Sequence, residues 1–311
     1  MIEGLSGQRV MVTGASGFIG GALSSRLVEI GAHVTGLSRI PQSVDQFDWI
    51  TCDVTDEKSV RNAVDQAKPD VIYHLASEVT GARSREWIAP CFHANLASTV
   101  YMMTAAADAG VERFVQMGSQ EEPDSAKGDV IPTSPYAAAK WAAAAYARMF
   151  HKLYGFGVVH LRVFMVYGPG QKDLKKLIPY STLECLAGRR PKIGIGTRKV
   201  DWVYIDDVVR GLLLAGIVPG VEGKTFEIGT SKLTSLRDVV EQVVRTANPA
   251  LTAEFSTEGR AMEIEYSADY SLSEALLGWS PSVTLDEGIQ RTVEWYSANS
   301  VRLLPKPLAS A

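Results

Sequence analysis

Cysteine is scarce in this chain: Cys52, Cys91 and Cys185 are the only three in 311 residues, and none belongs to a C-x-x-C pair. That excludes a disulfide framework and points to a reducing, cytoplasmic compartment. Basic charge is not in excess, with 31 Lys and Arg against 35 Asp and Glu for a formal net charge of −4. Nucleic acid, whose phosphates demand a basic face, is not an expected partner. No apolar run approaches the ~20 residues of a bilayer span, and the apolar stretch 211–221 is cut by Gly216, Pro219 and Gly220. Residues 1–6 carry no basic segment ahead of an apolar one, so neither signal peptide nor membrane partner is expected. The H-E-x-x-H spacing and clustered His and Cys are missing too, and no metal is expected.

What the chain does have is apolar content, 46% over a length that allows one large or two moderate domains with ample core. In the first half, short β-branched runs alternate with longer helical patterns. Residues 9–13, 33–37, 71–75, 113–117 and 158–163 read as strands, and 20–30 as an amphipathic helix with Leu23, Leu27 and Ile30 on one side. This alternation predicts βαβ units and an α/β fold, a doubly wound parallel sheet covered on both faces. Beyond residue 165 the alternation weakens, punctuated by Pro169, Pro179, Pro191 and Pro219. Helices are still legible at 235–247 and 285–297, within a smaller and more irregular second lobe.

The run Val10-Met11-Val12-Thr13-Gly14-Ala15-Ser16-Gly17-Phe18-Ile19-Gly20 reads as strand, glycine turn and helix start. In such a turn Gly14 permits the tight bend, Gly17 lets the backbone approach a pyrophosphate, and Gly20 allows close helix–strand packing. The free N–H groups at the helix start then face the anion. Gly14, Ser16, Gly17, Phe18, Ile19 and Gly20 are therefore the expected cofactor-contacting set, in a Rossmann-type dinucleotide-binding domain. At the end of the second strand an acid selects NAD, whereas an arginine accommodates the extra phosphate of NADP. Ser38 and Arg39 stand there. No carboxylate repels a phosphate and a guanidinium is available to fork onto it, so NADP(H) is favoured, with NAD(H) the alternative.

A second constellation is Thr133-Ser134-Pro135-Tyr136-Ala137-Ala138-Ala139-Lys140. A hydroxyl cap followed by proline near N1 starts a helix, and Tyr136 and Lys140, four apart, share a face. A phenol of ordinary pKa ~10 is a poor acid–base catalyst at neutral pH. A neighbouring ammonium stabilises its phenolate and brings it toward the working range. Upstream, Ser119 ends a strand-like run and is placed to hydrogen-bond the oxygen that Tyr136 protonates.

With the glycine loop, Ser119, Tyr136 and Lys140 in hand, the chain resembles the extended short-chain dehydrogenase/reductase family. That group comprises nucleotide-sugar epimerases, dehydratases, decarboxylases and ketoreductases. The resemblance also rests on Val71-Ile72-Tyr73-His74-Leu75-Ala76-Ser77, on Asn95-Leu96-Ala97-Ser98-Thr99, and on Leu161-Arg162-Val163-Phe164-Met165-Val166-Tyr167-Gly168-Pro169-Gly170-Gln171. Asp201-Trp202-Val203-Tyr204-Ile205-Asp206-Asp207 and Leu277-Gly278-Trp279-Ser280-Pro281 continue it over nearly the whole chain. It implies a dinucleotide domain at 1–165 with a return of 201–228, a substrate lobe at 166–200 and 229–300, and a frayed tail at 301–311. It implies Asp53 and Val54 at the adenine, although Asp53 also reads as a turn aspartate. Leu75, Ala76 and Ser77 are implied beside the cofactor, and His74 as a buried strand-end histidine. Val79, Ser119, Met165 and Arg260 are the implied substrate positions.

The resemblance leaves the reaction open. Glu121 occupies the place of the dehydratase base, yet Gln120 and Glu122-Pro123 break the usual continuation, so a solvated turn is an equal reading. Met165 replaces an asparagine that holds substrate, and Val200 replaces a diphosphate-facing arginine for which Arg198 or Lys199 could compensate. Loss of the asparagine, together with Ser38-Arg39, resembles the NADPH-dependent 4-ketoreductases of deoxysugar pathways. There Tyr136 supplies the proton, Lys140 orients the cofactor ribose and Ser119 positions the carbonyl. An epimerase or dehydratase acting on a nucleotide sugar is the alternative, and a non-catalytic NADP-sensing regulator a remote one. Small residues crowd 95–109 and 136–150, the two helices through which extended family members dimerise, so a homodimer is expected.

Overall fold

The computed structural model describes residues 3–42, 46–123, 130–257 and 265–303. Its strands begin with β1 (Arg9–Thr13), β2 (His33–Ser38), β3 (Asp48–Thr51), β4 (Val71–His74), β5 (Arg113–Met117) and β6 (Val158–Val163). They continue with β7 (Met165–Tyr167), β8 (Lys192–Ile193), β9 (Lys199–Tyr204), β10 (Thr225–Ile228), β11 (Leu233–Ser235) and β12 (Glu254–Phe255). The helices are α1 (Phe18–Glu29), α2 (Glu57–Ala67), α3 (Ile88–Cys91), α4 (Ser98–Asp108) and α5 (Pro135–Tyr154), then α6 (Leu177–Leu186), α7 (Ile205–Ile217), α8 (Leu236–Ala247) and α9 (Leu285–Leu303). A wider π turn, Phe92–Ala97, joins α3 to α4.

The chain divides into two compact units. The first comprises Met1–Val163, Val208–Ile228 and Tyr270–Ser280; the second comprises Phe164–Asp207, Gly229–Asp269 and Pro281–Ala311. The first unit holds a seven-stranded sheet in the order β10-β6-β5-β4-β1-β2-β3. Every pairing in it is parallel. This is the Rossmann-type α/β fold expected from the alternation of runs. Strand order reverses between β1 and β4, and a crevice at the carboxyl ends of such a pair is where ligands bind in open α/β sheets. The core on one side joins Met11, Ile72, Phe114 and Val158 of the sheet to Val60, Met102 and Phe150 of the helices, all buried. Continuous apolar runs such as the fully buried β4 are what two-sided coverage requires.

Besides the first unit ending at Val163 and not at 165, two groupings differ from the sequence expectation. Residues 201–207 group with the second unit because β9 pairs with β7 and β11. Residues 270–280 group with the first, where Ser273 Oγ donates to the Glu227 carbonyl at 2.7 Å and Trp279 is buried beside Arg210. Helix α1 begins at Phe18, earlier than hydrophobic periodicity suggested, because Gly17 already takes the extended cap conformation. The expected frayed tail overlaps the end of α9, and 304–311 lie outside the described residues, as does Arg260.

In the second unit the buried Asp201 organises the irregular segments. Its carboxylate accepts from Thr230 N–H at 2.7 Å, Thr230 Oγ1 at 2.6 Å, Ser231 N–H at 2.9 Å and Ala268 N–H at 3.0 Å. Loops without a ladder of their own thus satisfy their backbone donors on one side chain. Among the described residues no helix is long and apolar enough to cross a membrane.

Candidate active site

The glycine loop sits at the strand-order reversal. Gly14 has φ +71, and a Cβ there would meet Ala76 N at 3.0 Å, so the loop lies directly against the residues that follow β4. A Cβ at Gly20 would overlap the Gly14 carbonyl oxygen and lie 2.7 Å from its carbon. Helix α1 therefore starts flush against the loop, and its Gly17 cap offers no side-chain acceptor to its first N–H groups. Backbone donors at a helix start, with no side chain between them and a ligand, form an anion site. These residues fit a dinucleotide pyrophosphate.

The β1 and β4 ends are clamped by a group that sequence reasoning left without a role, Thr13. Its hydroxyl oxygen accepts from Leu75 N–H and Ala76 N–H, both at 3.0 Å. Its own proton must then go to His74 Nδ1, also at 3.0 Å. That fixes the histidine tautomer with the proton on Nε2, facing Ser98 Oγ at 3.5 Å, while Ser98 donates to the Ala94 carbonyl at 2.7 Å. His74 is thus a buried structural histidine. Burial, assisted by the Lys140 charge, pushes its pKa from 6.5 down to about 3. The unfolded chain takes up a proton that the folded chain refuses. This contribution to stability is therefore complete above pH 6.5 and is lost as pH falls toward 3. Urea titrations at a series of pH values should show stability declining through that window by up to about 1.4 kcal/mol per pH unit. The slope should flatten in His74→Asn, and an unchanged slope would remove His74 as its source.

Asn95 shapes the next stretch. Its side chain accepts from Ser77 Oγ at 2.7 Å and Glu78 N–H at 2.8 Å, and donates to the Glu78 carbonyl at 3.0 Å. Ala76 and Ser77 are half-buried beside Leu75, whereas Val79 is 59% exposed.

Helix α5 begins as its sequence indicated. Ser134 Oγ accepts from Ala137 N–H at 3.1 Å and Pro135 occupies the first turn. The helix buries Tyr136 and Lys140 on its inner face. The Tyr136 hydroxyl lies within reach of the Ser119 and Ser77 side chains, both of which favour its phenolate. Lys140 Nζ donates to the Met117 carbonyl at the end of β5, at 2.9 Å. Burial lowers Lys140 to about 8, against the opposing pull of Glu122.

The expectation that Lys140 draws the Tyr136 pKa downward is not met in the protein alone. Burial raises it, and the charges of Glu121 and Glu122 add to the rise, outweighing the opposing influence of the Ser119 and Ser77 side chains. The lysine lies 6.0 Å from the phenol ring centroid and is turned to Met117. Tyr136 is therefore held as the neutral phenol. Glu121 is half-buried, its N–H donating to Ser119 Oγ at 3.2 Å and its carboxylate accepting from Ser134 Oγ at 3.5 Å.

At the adenine end, Asp53 accepts from Thr55 N–H at 2.9 Å and Thr55 Oγ1 at 2.8 Å, an Asx turn that holds its carboxyl below the usual range. Val54 packs against the core. Ser38 is buried and accepts from Gln42 Nε2 at 3.0 Å, while Arg39 is exposed and its charge reaches Asp53. Met165 lies on β7 of the second unit, in register with Trp202, and Val200 is buried on β9. Among the described residues, no group of three or more His, Cys, Asp and Glu is placed to hold a metal.

A parallel Rossmann-type sheet with a glycine loop and a Ser–Tyr–Lys cluster defines a dinucleotide-dependent dehydrogenase-like enzyme. The chain belongs to the NAD dependent epimerase/dehydratase family, whose model matches residues 10–229. It is 33% identical to UDP-glucose 4-epimerase of Mycolicibacterium smegmatis, over 94% of this chain and 99% of that protein. It is 29% identical to dTDP-glucose 4,6-dehydratase of an Actinoplanes species, over 94% and 98%. Among solved structures, UDP-glucose 4-epimerase of Thermus thermophilus in complex with NAD superposes with a TM-score of 0.79 at 26% identity, covering 93% of this chain and 98% of that one.

Proposed function

We propose that this enzyme interconverts a hydroxyl and a ketone on the hexose of a nucleotide sugar, with NADPH-dependent reduction of a 4-keto sugar as its net reaction. The observation that carries the reading is the buried Tyr136 phenol, with Lys140 on the same face of α5 bonded to the Met117 carbonyl two residues before Ser119. A nicotinamide coenzyme on the loop of Gly14, Ser16, Gly17, Phe18, Ile19 and Gly20, with Leu75, Ala76 and Ser77 beside it, supplies the hydride when bound. Tyr136, protonated at neutral pH, donates its proton to the oxygen formed at the carbonyl. Ser119 steadies that oxygen by a hydrogen bond. Lys140, near 8, is positively charged at neutral pH and offers its ammonium to ribose hydroxyls. Ser38 and Arg39, lacking a carboxylate at the end of β2, support NADP over NAD.

Epimerase or dehydratase chemistry is the second reading. Glu121 favours it, because its carboxylate reaches Ser134 beside Tyr136, where a base is available. The named activities of the relatives point the same way. Releasing and identifying the copurified coenzyme, then assaying a panel of nucleotide sugars and their 4-keto derivatives, separates the two. The reductase consumes NADPH in proportion to product; turnover without net coenzyme consumption replaces it with the second reading. We also propose a homodimer through 95–109 and 136–150. On these segments five alanines of α5 face inward, while Phe92, at 49%, and Tyr146, at 40%, are exposed on and just before them. A monomeric mass for the same preparation at micromolar concentration overturns the dimer.

A further inference from the structure

Glu122 is the most deeply buried carboxylate near the site, and the reading above gives it no task. Its side chain is 1% exposed. One oxygen accepts from Ser119 N–H at 2.7 Å and the other from His160 Nε2 at 3.0 Å. Arg162 Nε stands 3.8 Å away, and the same guanidinium is tied by Nη1 to Glu227 at 2.8 Å. The space for this pair exists because residue 118 is glycine: a Cβ there would overlap both the Glu122 carboxylate and the His160 ring. A buried carboxylate with its hydrogen-bonded partners seldom stabilises a fold more than apolar residues of the same volume would, so its presence calls for another task.

The geometry points to Glu122 as a positioning residue that fixes Ser119 through its backbone and supplies the buried countercharge for Lys140. This rests on the reading of Ser119, Tyr136 and Lys140 as the reacting cluster. Three observations converge on it. The Ser119 N–H is directly bonded to the carboxylate, so the backbone that carries the serine hydroxyl cannot shift without breaking a charge-assisted hydrogen bond. The carboxylate cannot move either, being held from β6 by His160 and Arg162, and Arg162 in turn by Glu227 on β10. From α5, Lys140 Nζ is bonded to the Met117 carbonyl, one residue before the Gly118 position against which the Glu122 carboxylate lies, and Lys140 and Tyr136 both feel its charge, as Tyr136 also feels that of Glu121. Burial alone would raise the Glu122 carboxyl. The His160 and Arg162 groups and the Ser119 N–H outweigh it and keep it ionised at neutral pH.

The sign of the coupling is definite. A fixed negative charge favours the ammonium over the amine, so removing it must move Lys140 titration to lower pH. Lysine-labelled protein, free of substrate, is titrated by NMR, with the Lys140 signal identified by its loss in Lys140→Met. The wild-type midpoint is expected near 8. In Glu122→Gln, which keeps the volume and can still accept from Ser119, it should fall by about one pH unit. The Ser119 amide proton should move upfield as its acceptor loses charge.

Should Glu122→Gln fail to fold, the double variant Glu122→Met/His160→Leu replaces the pair with apolar volume and must lower the midpoint likewise. A folded variant with an unchanged Lys140 midpoint overturns the assignment. Because no sugar nucleotide is needed, a lowered midpoint in an enzyme that turns over none supports the Glu122 assignment while removing the redox reading.

Discussion

Replacing Tyr136 with Phe is expected to reduce turnover by roughly 10³-fold, within the range that a positioned general acid supplies. Coenzyme affinity should stay within about threefold, because the glycine loop and Lys140 are untouched and a phenyl ring still fills the same buried place. The fold should lose no more than about 1 kcal/mol, the net worth of one hydrogen bond, because the ring keeps its buried place. Steady-state rates, fluorescence titration of the coenzyme and thermal unfolding on one preparation test all three. The combination matters more than any single value. Loss of rate with intact binding and folding identifies a proton donor, whereas joint loss indicates a packing residue. Full activity of Tyr136→Phe in the cell, with the coenzyme still bound, would favour an NADP-sensing regulator over an enzyme.

The second large effect is expected at Gly20. An alanine methyl there has nowhere to go, since the atoms in its way are the carbonyl of Gly14 and the Cα of Ala15, backbone rather than yielding side chain. The loop must be pushed off the helix start. Coenzyme affinity should fall by at least ~100-fold, and stability by about 1–3 kcal/mol, the usual cost of overpacking. Gly21→Ala is the matched control: its methyl would make only an ordinary contact with the Ala15 carbonyl oxygen at 3.4 Å. Equal coenzyme affinity in Gly20→Ala and wild type would mean that the loop does not hold the pyrophosphate.

The parts of the site that are legible in sequence are those set by local rules. Ser134 and Pro135 start a helix by capping and a fixed φ, and the four-residue step from Tyr136 to Lys140 then fixes a common face. Gly14, Gly17 and Gly20 are readable because a turn this tight excludes Cβ atoms along a short continuous segment. Thr13, Asn95, Glu122 and His160 were not legible in the same way. Thr13 meets His74 across 61 positions, and Glu122 meets His160 across 38. No local periodicity encodes such pairs, and a threonine, a glutamate or an amide in isolation reads as a turn or a solvated charge. Asp53 shows the opposite case, a residue whose local Asx turn is plain while any ligand role depends on what lies beside it.

By itself, then, the sequence determined the parallel α/β architecture, the glycine turn ahead of α1 and the shared helix face of Tyr136 and Lys140, because alternation, capping and glycine spacing act over a few residues. Tertiary structure alone decided which way each pKa moves. Lys140 drawn down to about 8, His74 drawn down to about 3 and Tyr136 pushed up follow from desolvation and from charges brought together across strands. Those are properties of depth and proximity, which exist only once the sheet has assembled.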